Sequence, residues 1–206
     1  MPLQNRVNPQ GTIEESSARG TYMGNRGVLH NGKREVTRQF KTKAWITCLL
    51  EFKGRKRELM TPGRYTELFF LDEVTAFAAG HRPCAECRRK RYNEFRDAWQ
   101  SASAWTEARN VRSAELDEML HEERIEDSRK ITWKGQLQDL PHGTMVLIDN
   151  AAYAISENGL LAWNASGYRK AVHDRLPETV EVLTPSTVVK TFSRGFRPVF
   201  HHTAEV

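Results

Sequence analysis

Apolar and polar positions alternate most clearly between residues 28 and 58. Val36, Phe40, Trp45, Ile46, Cys48, Leu50 and Phe52 include a strictly alternating stretch, the period of a half-buried strand. Ile46, Cys48, Leu50 and Phe52 then share one face. Lys53-Gly54-Arg55 reads as a hairpin turn, with 56–60 as the return strand. Thr61-Pro62-Gly63 is a turn, and Leu68, Phe69, Phe70 and Leu71 form an apolar run that ends at Asp72, a good N-cap. Val74, Phe77 and Ala78 predict a short helix with one apolar face, stopped by Gly80 with Pro83 just beyond. A second helix follows Cys87, where Tyr92, Phe95 and Trp99 recur at spacings of three and four and Arg88, Arg89, Arg91 and Arg96 take the other faces.

The flanks read differently. Residues 1–27 are polar and aperiodic, as expected of a flexible arm. Residues 100–113 read as loose, and 115–129 as a strongly charged helix with a narrow apolar stripe of Leu116, Met119, Leu120 and Ile125. Asp117 and His121 are four apart and can point together, while Glu123 lies off that face. These residue types bind divalent metals in nucleases, although a solvated acidic face is the default for such a run. From Pro141 the pattern turns to strands at 144–149, 153–156, 160–163 and 180–183, with 167–170 as a loop bearing Tyr168, Arg169 and Lys170. A last helix begins after Pro185, with Ser186 or Thr187 as its cap. Its ending, Val189-x-x-Phe192-x-x-Gly195-Phe196-Arg197-Pro198, echoes Val74-x-x-Phe77-x-x-Gly80-His81-Arg82-Pro83, either as an internal duplication or as convergent use of one helix stop. The pattern as a whole predicts an α+β fold.

Composition narrows the function classes. No apolar run approaches the ~20 residues of a membrane span, and the first 26 residues lack the apolar stretch of a signal peptide. With three cysteines at least one is unpaired, which points to a reducing, cytoplasmic setting. The net charge of +5 permits a polyanionic partner. Arg34, Arg38, Lys41, Lys43, Lys53, Arg55, Lys56, Arg57 and Arg64 crowd one region, either as a solvated surface or as a groove that tracks phosphates.

The candidate chemistry sits at Gly80-His81-Arg82-Pro83-Cys84-Ala85-Glu86-Cys87. C-x-x-C puts two sulfurs on one side of a tight turn, half of the tetrahedron that thiolate-bound zinc requires. A redox dithiol usually opens a helix after a strand, whereas this pair follows a helix. Inert core cysteines are a further reading, opposed by the four cations that come next, Arg88, Arg89, Lys90 and Arg91. The other ligands must come from elsewhere. Cys48 is the one remaining cysteine, with a buried strand residue as its alternative role. His81 is a candidate for the fourth position, with His30, His121, His201 and His202 as rivals.

The stretch Glu67-Leu68-Phe69-Phe70 … Ala76-Phe77-Ala78-Ala79-Gly80-His81-Arg82-Pro83-Cys84-Ala85-Glu86-Cys87 resembles the metal-binding domain of the Ada DNA repair protein, which carries a phenylalanine pair, an Ala-rich helix and G-F-R-P-C-x-x-C. The likeness covers residues 45–92. It implies a small zinc-binding β-hairpin/helix module of Ada type at 28–100; the residue pattern adds a charged helical connector at 101–140 and a β-rich C-terminal part at 141–206 ending in a short helix. The resemblance implies Zn2+ held through Cys84 and Cys87, and DNA as partner; this chain's own residues offer Cys48 and His81 to complete the ligand set and Lys53, Arg55, Arg57, Arg82, Arg88 and Arg89 for phosphate contacts. Ada domains have a C-x-x-x-C upstream, one cysteine of which accepts a methyl group from a DNA phosphotriester. Here Phe52 stands four residues after Cys48, so a methyl-acceptor role falls to Cys48 alone. A structural zinc module with a protein partner is the reading outside nucleic-acid chemistry.

Overall fold

The computed structural model describes residues 2–55, 58–103, 105–172 and 175–205. The chain is α+β and is built on two six-stranded sheets that share a short helix. The first sheet takes β1 (Gln4–Val7), β2 (Ile13–Glu15), β3 (Tyr22–Asn25), β4 (Ile46–Cys48), β5 (Leu68–Phe70) and β6 (Arg82–Pro83), in the order β2-β1-β5-β3-β4-β6. Residues 1–27 are therefore not a free arm. From residue 2 onward they supply three strands, and β3 pairs with both β4 and β5 in the middle of the sheet. Val7, Ile13 and the buried Leu29 pack with Leu68, Phe70 and Ala76, which is where the few apolar residues of this polar segment go.

The expected hairpin at 53–55 is also corrected. Lys53 and Gly54 both have positive φ, 52° and 65°, as a tight turn requires. No return strand forms on the described side of it. The chain turns again at Met60, whose buried backbone N–H donates to Glu67 Oε2 at 2.8 Å, so the described residues between β4 and β5 form no strand and are anchored at their far end. Lys56 and Arg57 lie outside the described residues.

Helix α1 (Glu73–Ala78) starts where its sequence says it should. Asp72 Oδ1 accepts from Thr75 N at 2.8 Å and from Thr75 Oγ1 at 2.7 Å. The other oxygen of Asp72 accepts from Tyr168 OH and from His201 N, which ties the helix to the C-terminal half. Leu71, Val74 and Ala78 pack against Met145, Ala154, Leu161 and Leu183 of the second sheet. Gly80 stops the helix with φ 85°. A Cβ at this glycine would lie 2.7 Å from Arg124 Cδ, so both its conformation and its packing demand glycine.

Helix α2 (Arg89–Ala102) buries Tyr92, Phe95 and Trp99 as their spacing predicts. Helix α3 (Ser113–Arg124) buries Leu116 and Leu120 but ends earlier than expected. Asp127 and Ser128, with φ 46° and 61°, turn the chain into a two-stranded ribbon of β7 (Ile125–Glu126) and β8 (Arg129–Lys130).

The second sheet holds β9 (Trp133–Gln136), β10 (Met145–Ile148), β11 (Ala151–Ser156), β12 (Gly159–Asn164), β13 (Gly167–Lys170) and β14 (Thr179–Val182), in the order β13-β12-β11-β10-β14-β9. Residues 167–170 are a strand rather than a loop. Trp163 pairs with Tyr168 across a two-residue turn, and the buried Tyr168 hydroxyl reaches Asp72.

Helix α4 (Ser186–Ser193) is capped from outside. Glu123 Oε2 on α3 accepts from both Thr187 N and Thr187 Oγ1, so neither Ser186 nor Thr187 caps with its own side chain. The echo between α1 and α4 is the echo of a stop. Gly80 N donates to Phe77 O and Gly195 N to Phe192 O, while His81 N reaches Ala76 O and Phe196 N reaches Thr191 O. Beyond that stop the segments part: Arg82–Pro83 joins a sheet and 197–200 does not.

Candidate metal centre

The three cysteines converge by strand register. Strands β4 and β6 run parallel, with Ile46 opposite Arg82 and Thr47 opposite Pro83. Cys84 N continues the ladder by donating to Thr47 O at 2.9 Å, so one step further Cys48 stands beside Cys84. Arg88 N then donates to Cys84 O at 3.2 Å, closing the turn that brings Cys87 back. The ligand atoms of Cys48, Cys84 and Cys87 all lie within 4.8 Å of one another. Thiolates about 2.3 Å from a shared zinc ion would be roughly 3.8 Å apart, so the trio can hold a metal ion with small adjustments. Cys48 and Cys84 are buried and Cys87 is half-buried.

The protons are shared unequally. Cys84 is pushed far below the ordinary thiol range because Cys48 and Cys87 donate to it, aided by backbone N–H groups, of which Glu86 N lies 3.4 Å from its sulfur. Cys48 is pushed upward as a donor to Cys84 and Cys87 and by burial. The arrangement stabilises one thiolate before any cation arrives.

The cluster lines a cavity of about 320 Å³. Ile46, Cys48, Leu50 and Phe52, which alternation placed on one face, all line it. Leu49 and Leu50 expose large apolar surface beside the sulfurs. Arg55 Nη2 donates to Glu86 Oε1 at 2.6 Å, tying the 52–55 turn to the C-x-x-C turn.

His81 does not join the sulfurs. It is buried between Trp45 and Phe70, ring centroids 5.3 and 4.6 Å away, and its Nε2 accepts from Arg26 Nε at 3.2 Å. Burial, then the charges of Arg26 and Arg124, hold its imidazole neutral. The residue takes the packing place of an aromatic ring. Among the described residues no other His, Cys, Asp or Glu joins the trio.

The expected phosphate contacts divide. Arg82 and Arg88 are buried and engaged: Arg82 with both oxygens of Asp117, Arg88 with Glu73 at 2.5 Å and Thr47 Oγ1 at 2.9 Å. They hold the cysteine turn in place and are not available to a phosphate. Asp117 is equally committed, and His121 packs on Phe40 and Trp45, so this pair does not form a nuclease-type metal site. Lys53, Arg55 and Arg89 are exposed around the turn. Arg57 lies outside the described residues. Sequence reasoning missed Glu73, which sits between Arg88 and Arg91 and also accepts from Val199 N; a glutamate immediately after an N-cap reads as an ordinary first-turn acid.

No protein-family profile matches the chain. No curated protein and no solved structure matches it either. The Ada resemblance is thus carried by the motif alone. Among the described residues no helix is long and apolar enough to cross a membrane.

Proposed function

We propose that the chain is a zinc-dependent DNA-binding protein related to DNA repair or its regulation, holding Zn2+ through Cys48, Cys84 and Cys87. The observation that carries this reading is the convergence of three sulfurs, two from the C-x-x-C and one from a distant strand, at the wall of a cavity. Thiolate sets of this kind suit zinc and disfavour hard cations such as Mg2+ and Ca2+. Three protein ligands leave a fourth position, and the cavity beside them gives it a route to solvent or substrate. When bound, zinc would keep all three sulfurs as thiolates. Lys53, Arg55 and Arg89 would supply phosphate contacts at the rim, with Arg55 exchanging its Glu86 partner for a phosphate oxygen.

A second reading is favoured by the place of Cys48 on the cavity wall. Its sulfur would attack the methyl carbon of a methylated DNA phosphate, forming an S–C bond as the C–O bond breaks and leaving a phosphodiester anion. A third, a structural zinc module for a protein partner, draws on the exposed Leu49 and Leu50.

Metal analysis of protein purified without chelator should find about one zinc per chain, lost on Cys84→Ser. Binding to duplex DNA should then weaken steeply with salt. Metal-free protein that keeps its fold would end the proposal. Zinc without salt-sensitive DNA binding would leave the protein-partner reading. An irreversible gain of one methyl mass on the Cys48 peptide would select the methyl acceptor.

A further inference from the structure

A second cavity, of about 540 Å³, lies across the sheet from the cysteines. Strand alternation separates the two: Ile46 and Cys48 face the sulfur site, while Trp45 lines the other. Asn25 and Arg26 divide in the same way.

Three cations are drawn into this second cavity. Arg26 and Arg124 are each 1% exposed. Arg26 Nε donates to His81 Nε2 and Nη1 to Gly11 O, leaving Nη2 buried with no hydrogen-bond partner. Arg124 Nη1 donates to Gly80 O and Nη2 to Lys43 O, with His121 Nδ1 3.1 Å from the same Nη2, leaving Nε likewise without a partner. Their guanidinium carbons sit 3.9 and 4.3 Å from the centre of the Trp45 ring. Lys130 Nζ donates to Ala78 O at 2.6 Å. Every one of these acceptors is neutral, and no carboxylate lines the cavity among the described residues. Asp117 lies near enough to act on Arg124, but both its oxygens are spent on Arg82.

Burying two like charges, with a third half-buried beside them and no counterion, is unfavourable. Desolvation first, and then mutual repulsion, hold Arg26 to about 9 and Lys130 to about 7, and burial brings Arg124 to about 9. An anion would relieve both costs and satisfy both orphaned N–H groups. The exposed Arg38 and Arg129 at the rim would steer it inward. The volume falls in the range of small-molecule sites, larger than one phosphate needs, and Ile13, Val36 and Ile125 offer an apolar wall for the remainder.

We propose that this cavity binds a small phosphorylated molecule, its phosphate held by Arg26, Arg124 and Lys130. The site is separate from the cysteine cluster and does not depend on a metal.

The test is calorimetric titration of the full chain with inorganic phosphate, with adenosine monophosphate and with a short DNA duplex, ionic strength held constant with sodium chloride. Thermal unfolding is followed under the same conditions. Saturable heat and a saturable rise in melting temperature are expected with phosphate and more strongly with the nucleotide. Lys130→Met and Arg26→Gln should each weaken binding at least tenfold, and Arg169→Gln, an exposed change on β13 away from the cavity, should not. Should Arg26→Gln fail to fold, Lys130→Met and the wild-type heats decide the matter. Absence of saturable binding to either small probe, undiminished binding in Lys130→Met, or a response to the duplex alone would each overturn the assignment.

Discussion

Arg82 and Asp117 meet in a buried two-pronged pair, with Nε 2.8 Å from Oδ1 and Nη2 2.6 Å from Oδ2. The pair fastens α3 to β6, the strand that leads directly into Cys84. Burial pushes the Asp117 carboxyl upward, against the pull of Arg82. Removing one partner leaves a buried charge alone, which costs about 3–5 kcal/mol. Asp117→Ala should therefore lower stability by that order in urea unfolding. Pairing it with Arg82→Met should recover much of the loss, because the double change removes both charges. A single variant that unfolds at the wild-type midpoint would show that the pair holds nothing together.

The proposed metal ligands can be separated from their neighbours by substitution. His81→Phe should keep the full metal content, since the ring packs among Trp45, Phe70 and Arg26 rather than on the sulfurs. Cys48→Ser and Cys87→Ser should each reduce it sharply. Cobalt substitution gives the readout, through thiolate-to-metal absorption. A His81→Phe protein that loses its metal would return the imidazole to the ligand set.

Deleting residues 2–27 should abolish folding as well as metal binding. β3 lies between β4 and β5, pairing Met23 with Cys48 and with Phe69, so its removal cuts β4, which carries the third sulfur, off from the rest of the sheet and leaves it paired only with the two-residue β6. Far-ultraviolet circular dichroism and metal content check this together. A truncated chain that binds one metal ion would mean the segment is dispensable.

Glu123 should matter to α4 although it belongs to α3. Its carboxylate replaces the side-chain cap that α4 lacks. Glu123→Ala should cost about 1 kcal/mol, the usual worth of a lost cap, read as a lower thermal midpoint. Glu123→Gln, which keeps an acceptor oxygen, should lose less.

Stability should rise with pH above neutrality. The folded chain holds the Lys130 ammonium down to about 7, through burial and then through Arg26 and Arg124. Also facing this region are the Ala78 carbonyl, which accepts from Lys130, and His81, kept neutral by burial and by the same cations. Between that value and the ordinary lysine value of 10.5, the unfolded chain retains a proton that the folded chain has shed. Stability therefore climbs as pH rises through this window. Urea midpoints from pH 6 upward should show the climb, and Lys130→Met should flatten it. Equal slopes in the two proteins would count against a buried ammonium.

Local chemistry was the legible part of the sequence. The N-cap at Asp72, the stop at Gly80, the apolar stripe of α2 and the strands after Pro141 depend on neighbours a few residues apart, and they stand where the pattern puts them. The α+β class follows from them. The partnership of Cys48 with the C-x-x-C was also within reach, because a third sulfur had one possible source. Hidden from the sequence were the pairings between distant segments. Residues 4–25 look aperiodic because their strands are only three or four residues long, too short to show a period. Arg82 and Arg88 look like phosphate ligands because a cation beside a glycine–proline turn carries no sign of the acid awaiting it elsewhere in the chain. Arg26, Arg124 and Lys130 come together from the residue after β3, the end of α3 and the end of β8, and no spacing rule joins them.

Alternation from Trp45 into β4 gives one short ribbon custody of two chemistries. Trp45 belongs to the cationic hollow and Cys48 to the sulfur trio, on opposite sides. A slip of a single residue against β3 or β6 would turn each side chain toward the wrong compartment. Misthreading would therefore disturb both hollows at once, so the meeting of the three sulfurs and the assembly of the arginine-lined chamber stand or fall together.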